Sequence, residues 1–241
     1  ARLSWLCDLD EQLLGTFAVR YPGTRRTTDV QQLLDDPELD AVLIATPVST
    51  HYDLAARALD AGKHTFVEKP LAPSSELASE LLQRARARDR VLMCGHTFLY
   101  SPPVRAVKAL LRAGELGEIF FVSCIPDVAF VCLPYPSGIV ANVELSWLAP
   151  SKLRRTVVVG SRKMVVYDDG SPEPVRIFDH GVIYDDPKTF GEYKLSYRTG
   201  SILSPKIDGV EPLVEELDDF VGVIQNGGQS VAGPDLARDV V

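Results

Sequence analysis

The stretch HTFVEKPLA, residues 64–72, decides how the first half of this chain is read. A short apolar, β-branched run ends in Glu68-Lys69-Pro70, and a helical pattern, SSELASELLQRARAR, follows at once. A buried strand that runs out into a charged pair, with a proline fixing the backbone behind it, is the signature of a strand's carboxyl end in an open α/β sheet. Ligands bind in the crevice beyond those ends. Lys69 is therefore a candidate for chemistry as well as for surface decoration.

Working outward, the same alternation repeats. LSWLC (3–7) and DAVLIAT (40–46) read as buried strands, as does VLMCG (91–95). Between them, DEQLLGTFAVRY (10–21), DVQQLLDD and STHYDLAARALDAG (49–62) carry helical spacing. Asp29 is an expected cap for the second of these, Ser49 or Thr50 for the third, and Gly62 a stop. Strands alternating with helices predict right-handed crossovers and a doubly wound parallel sheet. Asp8 and Asp10, Thr46-Pro47, Glu68-Lys69-Pro70 and Gly95-His96 then fall at four successive strand ends, along one rim.

Composition narrows the function classes. The 241 residues are 46% hydrophobic and 24% charged, with a formal net charge of −8. An acidic chain predicts no nucleic-acid footprint, and RARARDR (84–90) and KLRR (152–155) read as a solvated helix face and a strand edge. The sequence has no run of about 18 apolar residues, so no membrane span is expected, and no basic-then-apolar leader pattern is visible. Cys7, Cys94, Cys124 and Cys132 are scattered through apolar segments without a C-x-x-C pair. They read as small buried thiols of a reducing cytoplasm, not as disulfides or zinc ligands.

ATPVSTHYDLAARALDAGKHTFVEKPLA, followed by VLMCGHTFLYSPPVRAVKALLRAGELGEI, resembles the glucose-fructose oxidoreductase / inositol dehydrogenase (Gfo/Idh/MocA) family over roughly residues 1–124. T-P-x-x-x-H, E-K-P, G-H-T-F and G-x-L-G-x-I occur in order and at matching spacings. VVVGSRKMVVYDD and LSYRTGSILSPKIDGVEPL resemble the branch that handles nucleotide-linked sugars. The resemblance implies a Rossmann-type domain over 1–102, followed over 103–241 by a mostly antiparallel β-sheet domain with helices on one face. It implies NAD as cofactor, with NADP possible. It places Asp8 at the adenosine ribose, unless that carboxylate instead caps the helix over 10–21. Thr46, Pro47 and His51 fall at the dinucleotide crevice, although His51 also suits a helix histidine. Glu68 falls at the nicotinamide ribose or beside Lys69 as its counter-charge. Lys69 becomes the catalytic-site lysine, and His96 and Tyr100 lie where cofactor and substrate meet, with buried structural roles as the alternative for both.

Downstream, PVRAVKALLRAGELG (103–117) reads as an amphipathic helix at a domain junction. Two hairpins are expected, one turning at Pro136-Ser137-Gly138 and one near Gly160-Ser161. VEPLVEELDDFVGVIQNGG (210–228) reads as a helix ended by glycines. The segment 196–209, with Tyr197, Arg198 and Lys206, reads as a loop, either purely structural or one that reaches an anionic substrate such as a nucleotide diphosphate. A broad apolar sheet face and the family resemblance together imply a homodimer or homotetramer.

Two elements of the family pattern are not found. No G-x-G-x-x-G, the phosphate-cradling turn, occurs in the sequence, and the first strand matches the family's second. The absence of the intervening central strand predicts two unpaired interior strand edges. Near Cys124-Ile125-Pro126 the family's segment with an aspartate and a proton-accepting histidine is also missing. The simplest expectation is a longer native polypeptide. The function expected is hydride transfer between NAD(P) and a secondary alcohol of a sugar or nucleotide sugar. The alternatives are an inactive relative that binds nucleotide or sugar or assists assembly, and an imine or biliverdin-type reductase.

Overall fold

Strand β4 (His64–Glu68) has Thr65, Phe66 and Val67 withdrawn from solvent, because it lies between β3 (Ala41–Ile44) and β5 (Leu92–Gly95) with helices on both faces. Both pairings are parallel, with Ala41 opposite His64 and Glu68 opposite Gly95. A computed structural model describes the backbone of residues 1–125, 127–146, 154–184 and 195–240. It divides into two compact units, Ala1–Tyr100 with Glu211–Val241, and Ser101–Val210.

In the first unit the pleat sends successive side chains to opposite faces. Ile44, Val67 and Cys94 face Ala55, Leu59, Leu81 and Leu82, which belong to α3 (His51–Asp60) and α4 (Ser75–Ala87). Phe66 and Met93 point the other way, onto Phe220 and Leu217 of α6 (Pro212–Asn226). Phe66 and Phe220 meet edge-on, centroids 5.7 Å apart, an arrangement aromatic quadrupoles favour. Ala237 of α7 (Pro234–Asp239) joins the α3/α4 cluster.

Residues 211–241 therefore complete the first unit. Reading 103–241 as one domain assigned them by chain order, whereas Phe220 and Ala237 are buried against β-strands more than a hundred residues earlier.

β1 (Trp5–Cys7) pairs in parallel with β2 (Arg25–Thr27) and with no other strand among the described residues. β3 likewise pairs with β4 alone. Yet Trp5, Cys7 and Val42 pack on one cluster, Leu33, Leu34 and Ala58. The two interior edges expected from the sequence are thus unpaired, and Leu43 is 51% exposed. Trp5 Nε1 donates to Asp36 (2.8 Å), and Arg25 pairs with the same carboxylate while stacking on the indole at 4.3 Å. That indole hydrogen bond is the main reason the Asp36 carboxyl is held below its usual range.

Local signals set the helix ends. α1 (Glu11–Arg20) is capped by Asp10, whose Oδ1 accepts from Gln12 N at 2.8 Å and Leu13 N at 3.0 Å. The cap is therefore Asp10, not Asp8. Asp29 caps α2 (Val30–Leu34) and Ser74 caps α4 through their side chains. Neither candidate cap of α3 acts that way: Thr50, at the N-cap, turns its hydroxyl back to Pro47 O (2.8 Å), and Ser49 sits inside a short 3₁₀ turn.

The second unit is a seven-stranded sheet: β6 (Ile119–Ile125), β7 (Asp127–Pro134), β8 (Val140–Ser146), β9 (Arg155–Gly160), β10 (Met164–Asp168), β11 (Val175–Tyr184) and β12 (Leu195–Leu203). Their spatial order is β12-β11-β10-β9-β6-β8-β7, and β6 with β8 is the one parallel pair. α5 (Pro102–Arg112) lays Val104, Val107 and Leu110 on Val158, Val165 and Ile177. Both expected hairpins form, with Gly138 at φ 84° in the first turn. The expected loop over 196–209 is instead strand to Leu203, because 195–203 pair antiparallel with β11. Arg198 is held there by Asp179 (2.8 Å); the side chain of Tyr197 lies outside the described residues.

Candidate functional site at the carboxyl ends of the strands

Within the first unit, parallel strands β3, β4 and β5 end at the same level, and that rim carries the expected residues. Thr46 and Pro47 follow β3 and are exposed; Thr46 Oγ1 lies 2.7 Å from Thr50 Oγ1. Asp8 follows β1 and is exposed, its Oδ1 accepting the Asp10 N–H at 2.9 Å. Lys69 follows β4, exposed, and its ammonium forms no ion pair with a carboxylate among the described residues. The Lys69-Pro70 bond is cis.

His51 sits just behind the rim and is 1% exposed. Its Nδ1 lies 2.8 Å from Pro70 O and its Nε2 2.8 Å from Thr46 O. The ring thus ties the loop after β3 to the loop after β4. A neutral imidazole has one N–H and serves one of these carbonyls; an imidazolium serves both.

Glu68 and His96 are brought together with Lys69. A Cβ on Gly95 would sit 3.0 Å from Glu68 Oε2 and 3.4 Å from Glu68 Cα, so the glycine makes room for that carboxylate. Burial, and secondarily the Lys69 ammonium, hold His96 below the ordinary imidazole range, with Glu68 opposing. The ring is therefore neutral at pH 7, and its buried Nε2 has no hydrogen-bond partner among the described residues. Cys94, one turn of pleat earlier, is pushed up to about 12 by burial and by Glu68 and Glu216; it is an inert core thiol.

Tyr100 is placed differently from its neighbours. It is 1% exposed, and its hydroxyl donates to Asp219 Oδ2 at 2.6 Å, with Ser230 Oγ 3.1 Å away. Burial first, then the Asp219 carboxylate, raise its phenol well above the usual range. The structure gives this hydroxyl internal partners.

Sequence reasoning missed Thr97 and Glu216. Glu216 is 0% exposed; its Oε2 accepts from Thr97 Oγ1 at 2.7 Å, and its Oε1 has no partner among the described residues. The available signal was a glutamate set within the apolar stripe Leu213, Leu217, Phe220, Ile224 of α6. Charged residues are almost never fully buried unless something answers them.

Parallel strands and covering helices, with a lysine, a carboxylate and a neutral imidazole at the carboxyl ends, define a Rossmann-type dinucleotide-binding unit. Residues 5–96 match the family described as "Oxidoreductase family, NAD-binding Rossmann fold". Over these residues the chain is similar to the Gfo/Idh/MocA oxidoreductases. It is 38% identical over 122 residues to dTDP-3,4-didehydro-2,6-dideoxy-alpha-D-glucose 3-reductase of Streptomyces antibioticus, covering 51% of this chain and 36% of that protein. It is 36% identical over 90 residues to the NAD(+)-dependent scyllo-inositol 2-dehydrogenase of Bacillus subtilis (strain 168), covering 37% of this chain and 26% of that one. The chain thus spans about a third or less of the length of these curated relatives. Its fold follows that of levoglucosan dehydrogenase solved with NADH and levoglucosan, with a TM-score of 0.77 at 17% identity, over 98% of this chain and 85% of that chain.

Proposed function

We propose that this chain is the NAD(H)-binding part of an oxidoreductase that moves a hydride between the nicotinamide and a secondary alcohol of a sugar or nucleotide sugar. The observation that carries this is Lys69: an exposed ammonium that forms no ion pair among the described residues, at the end of a parallel strand buried at Thr65, Phe66 and Val67, beside the Glu68 carboxylate and a neutral His96. The names of the relatives, a nucleotide-sugar reductase and an inositol dehydrogenase, support the substrate class.

The residues present fit part of a dinucleotide. Asp8 offers an exposed carboxylate, with one oxygen accepting from Asp10 N, where adenosine ribose hydroxyls need an acceptor, and it disfavours a 2′-phosphate. Thr46 and Pro47 line the crevice, with His51 fixing the two loops behind them. Glu68 and His96 flank the nicotinamide end. A glycine turn that would cradle the pyrophosphate is not among the described residues. When bound, the nicotinamide supplies the hydride acceptor. Lys69 would hydrogen-bond the substrate oxygen and stabilise the alkoxide that develops as the hydroxyl proton passes to a general base or water and the C–H bond breaks. A homo-oligomeric, cytoplasmic enzyme is part of the same reading.

A second reading rests on a specific observation: the β1–β2 pair and the β3–β4–β5 sheet share no ladder bonds. A unit with this division suits a non-catalytic relative with weak dinucleotide affinity. Titration with NADH, followed by nicotinamide fluorescence, separates the two. The dehydrogenase reading expects saturable binding in the wild type and in Lys69→Met, with turnover of a sugar panel lowered about 10²–10³-fold in the variant. Near-normal turnover of Lys69→Met would remove the lysine from the mechanism, and no NADH binding would favour the second reading.

A further inference from the structure

We propose that Glu216 is a positioning residue of this rim: acting through Thr97, its buried carboxyl sets where the His96 ring stands beside Lys69 and Glu68. The proposal rests on the preceding reading for its bearing on turnover, but not for its geometry.

Three observations converge. First, Glu216 lies wholly inside the unit, and among the described residues only its Oε2 is answered, by Thr97 Oγ1 at 2.7 Å. A carboxyl kept at full burial with half its hydrogen-bonding capacity unused is costly. Its retention on an apolar stripe calls for a role that Leu or Met would not fill. Second, Thr97 is bonded directly to His96 in the chain and opens the 3₁₀ turn Thr97–Tyr100. Third, that turn is fastened to α6 twice, in register. Residues 97 and 100 eclipse one another on a 3₁₀ turn, residues 216 and 219 share a face of an α-helix, and Thr97 meets Glu216 while Tyr100 meets Asp219. A single anchor leaves a turn free to swivel. Two anchors three residues apart fix both its position and its rotation, and with them the direction in which His96 leaves the strand.

The charges around the pair fit this role. Glu68 on β4, Asp219 on α6 and Cys94 on β5 surround Glu216; burial first, and then the two carboxylates, raise its carboxyl. Glu216 accepts from the Thr97 hydroxyl and forms no ion pair with Lys69 among the described residues, so α6 orients the turn without competing for the lysine.

The test is the pH titration of the His96 imidazole by NMR in the full-length protein without ligand; the chain has four histidines, so its signal is assignable by a His96→Gln control. In the wild type His96 titrates below 6.5. Glu216→Ala and Thr97→Val are expected to move its resonances and bring the midpoint back toward 6.5, as the turn loosens and water reaches the ring. Glu216→Gln retains an oxygen for Thr97 and is expected to restore the wild-type signal. Thermal unfolding is followed in parallel. An unchanged His96 titration in folded Thr97→Val, with only the melting temperature lowered, overturns the proposal and leaves Glu216 a structural residue. Thr97→Val, which removes the donor and keeps the side-chain shape, decides the matter if Glu216→Ala does not fold. An absence of NADH binding would defeat the dehydrogenase reading while leaving this readout intact.

Discussion

Thr97 donates a 2.7 Å hydrogen bond to the fully buried Glu216, and the two residues are 119 positions apart in the chain. The contact joins the turn after the last parallel strand to a helix made after an entire second unit has intervened. It therefore links the candidate site to the stability of the unit that carries it.

That link has a pH signature. Glu216 is raised in the folded state, chiefly by burial, so the folded protein holds a proton there that the unfolded chain releases. The contribution is fully present below the carboxyl's ordinary 4.5 and is lost as pH rises through the folded value. Glu216→Gln cannot titrate. Melting temperatures measured from pH 4.5 to 8 are expected to show the wild type falling steadily relative to Glu216→Gln. Parallel curves across that range would mean that the carboxyl ionises as freely inside as outside.

His96 runs the other way. Its folded value is depressed by burial and Lys69, so its contribution is present above 6.5 and is lost as pH falls through the folded value. Lys69→Met removes one cause of the depression. The same NMR titration is expected to show the His96 midpoint higher in Lys69→Met than in the wild type. An unmoved midpoint would mean that the ammonium points away from the ring.

Two glycines make a graded prediction about space. At Gly95 an added methyl meets the end of the Glu68 side chain at 3.0 Å, which can swing aside. At Gly160 it would lie 2.2 Å from the Leu116 backbone oxygen, which cannot. Urea unfolding should show Gly95→Ala costing about 1 kcal/mol, with Glu68 displaced, and Gly160→Ala costing about 3 kcal/mol or more. Equal losses would mean that the second unit relaxes around Leu116 more readily than its packing implies.

His51 offers a test of the rim's rigidity. Replacing it with Ala leaves the carbonyls of Thr46 and Pro70 without the ring, at about 0.5–1.5 kcal/mol for each hydrogen bond lost. Amide hydrogen exchange should speed up in both loops together. Faster exchange in one loop alone would mean that the ring holds only that loop.

The first half of the fold was legible because its strands are buried on both faces and its helices keep a clean apolar stripe: Phe66 and Val67, or Ala78, Leu81, Leu82 and Ala85, are visible as patterns. β2 was not, since Arg25-Arg26-Thr27 has neither an apolar run nor alternation and is a strand only because β1 lies beside it. α7 has six residues, too few for periodicity, although Gly233 and Pro234 mark its start. β12 was read as a loop because Ser196, Gly200 and Ser201 mimic turn chemistry, while its identity comes from pairing with β11. At the site, motif order put Glu68, Lys69 and His96 forward as candidates, and the fold places them at one strand-end rim. Motif order could not find Glu216, because tertiary partnership over 119 residues leaves no trace in local spacing.

Assembly of the first unit from residues 1–100 and 211–241 sets a timetable for biosynthesis. At about 5–20 residues per second, roughly 5–20 s separate the emergence of Tyr100 from that of Glu211. During that interval the face carrying Phe66, Met93 and Tyr100 has no α6 to cover it. The nascent chain carries a sticky, half-built sheet past the exit tunnel while the whole second unit is translated. A ribosome stalled before residue 211, or a nonsense mutation there, yields a substrate for holdase chaperones and proteases even though every rim residue from Asp8 to His96 has already been made.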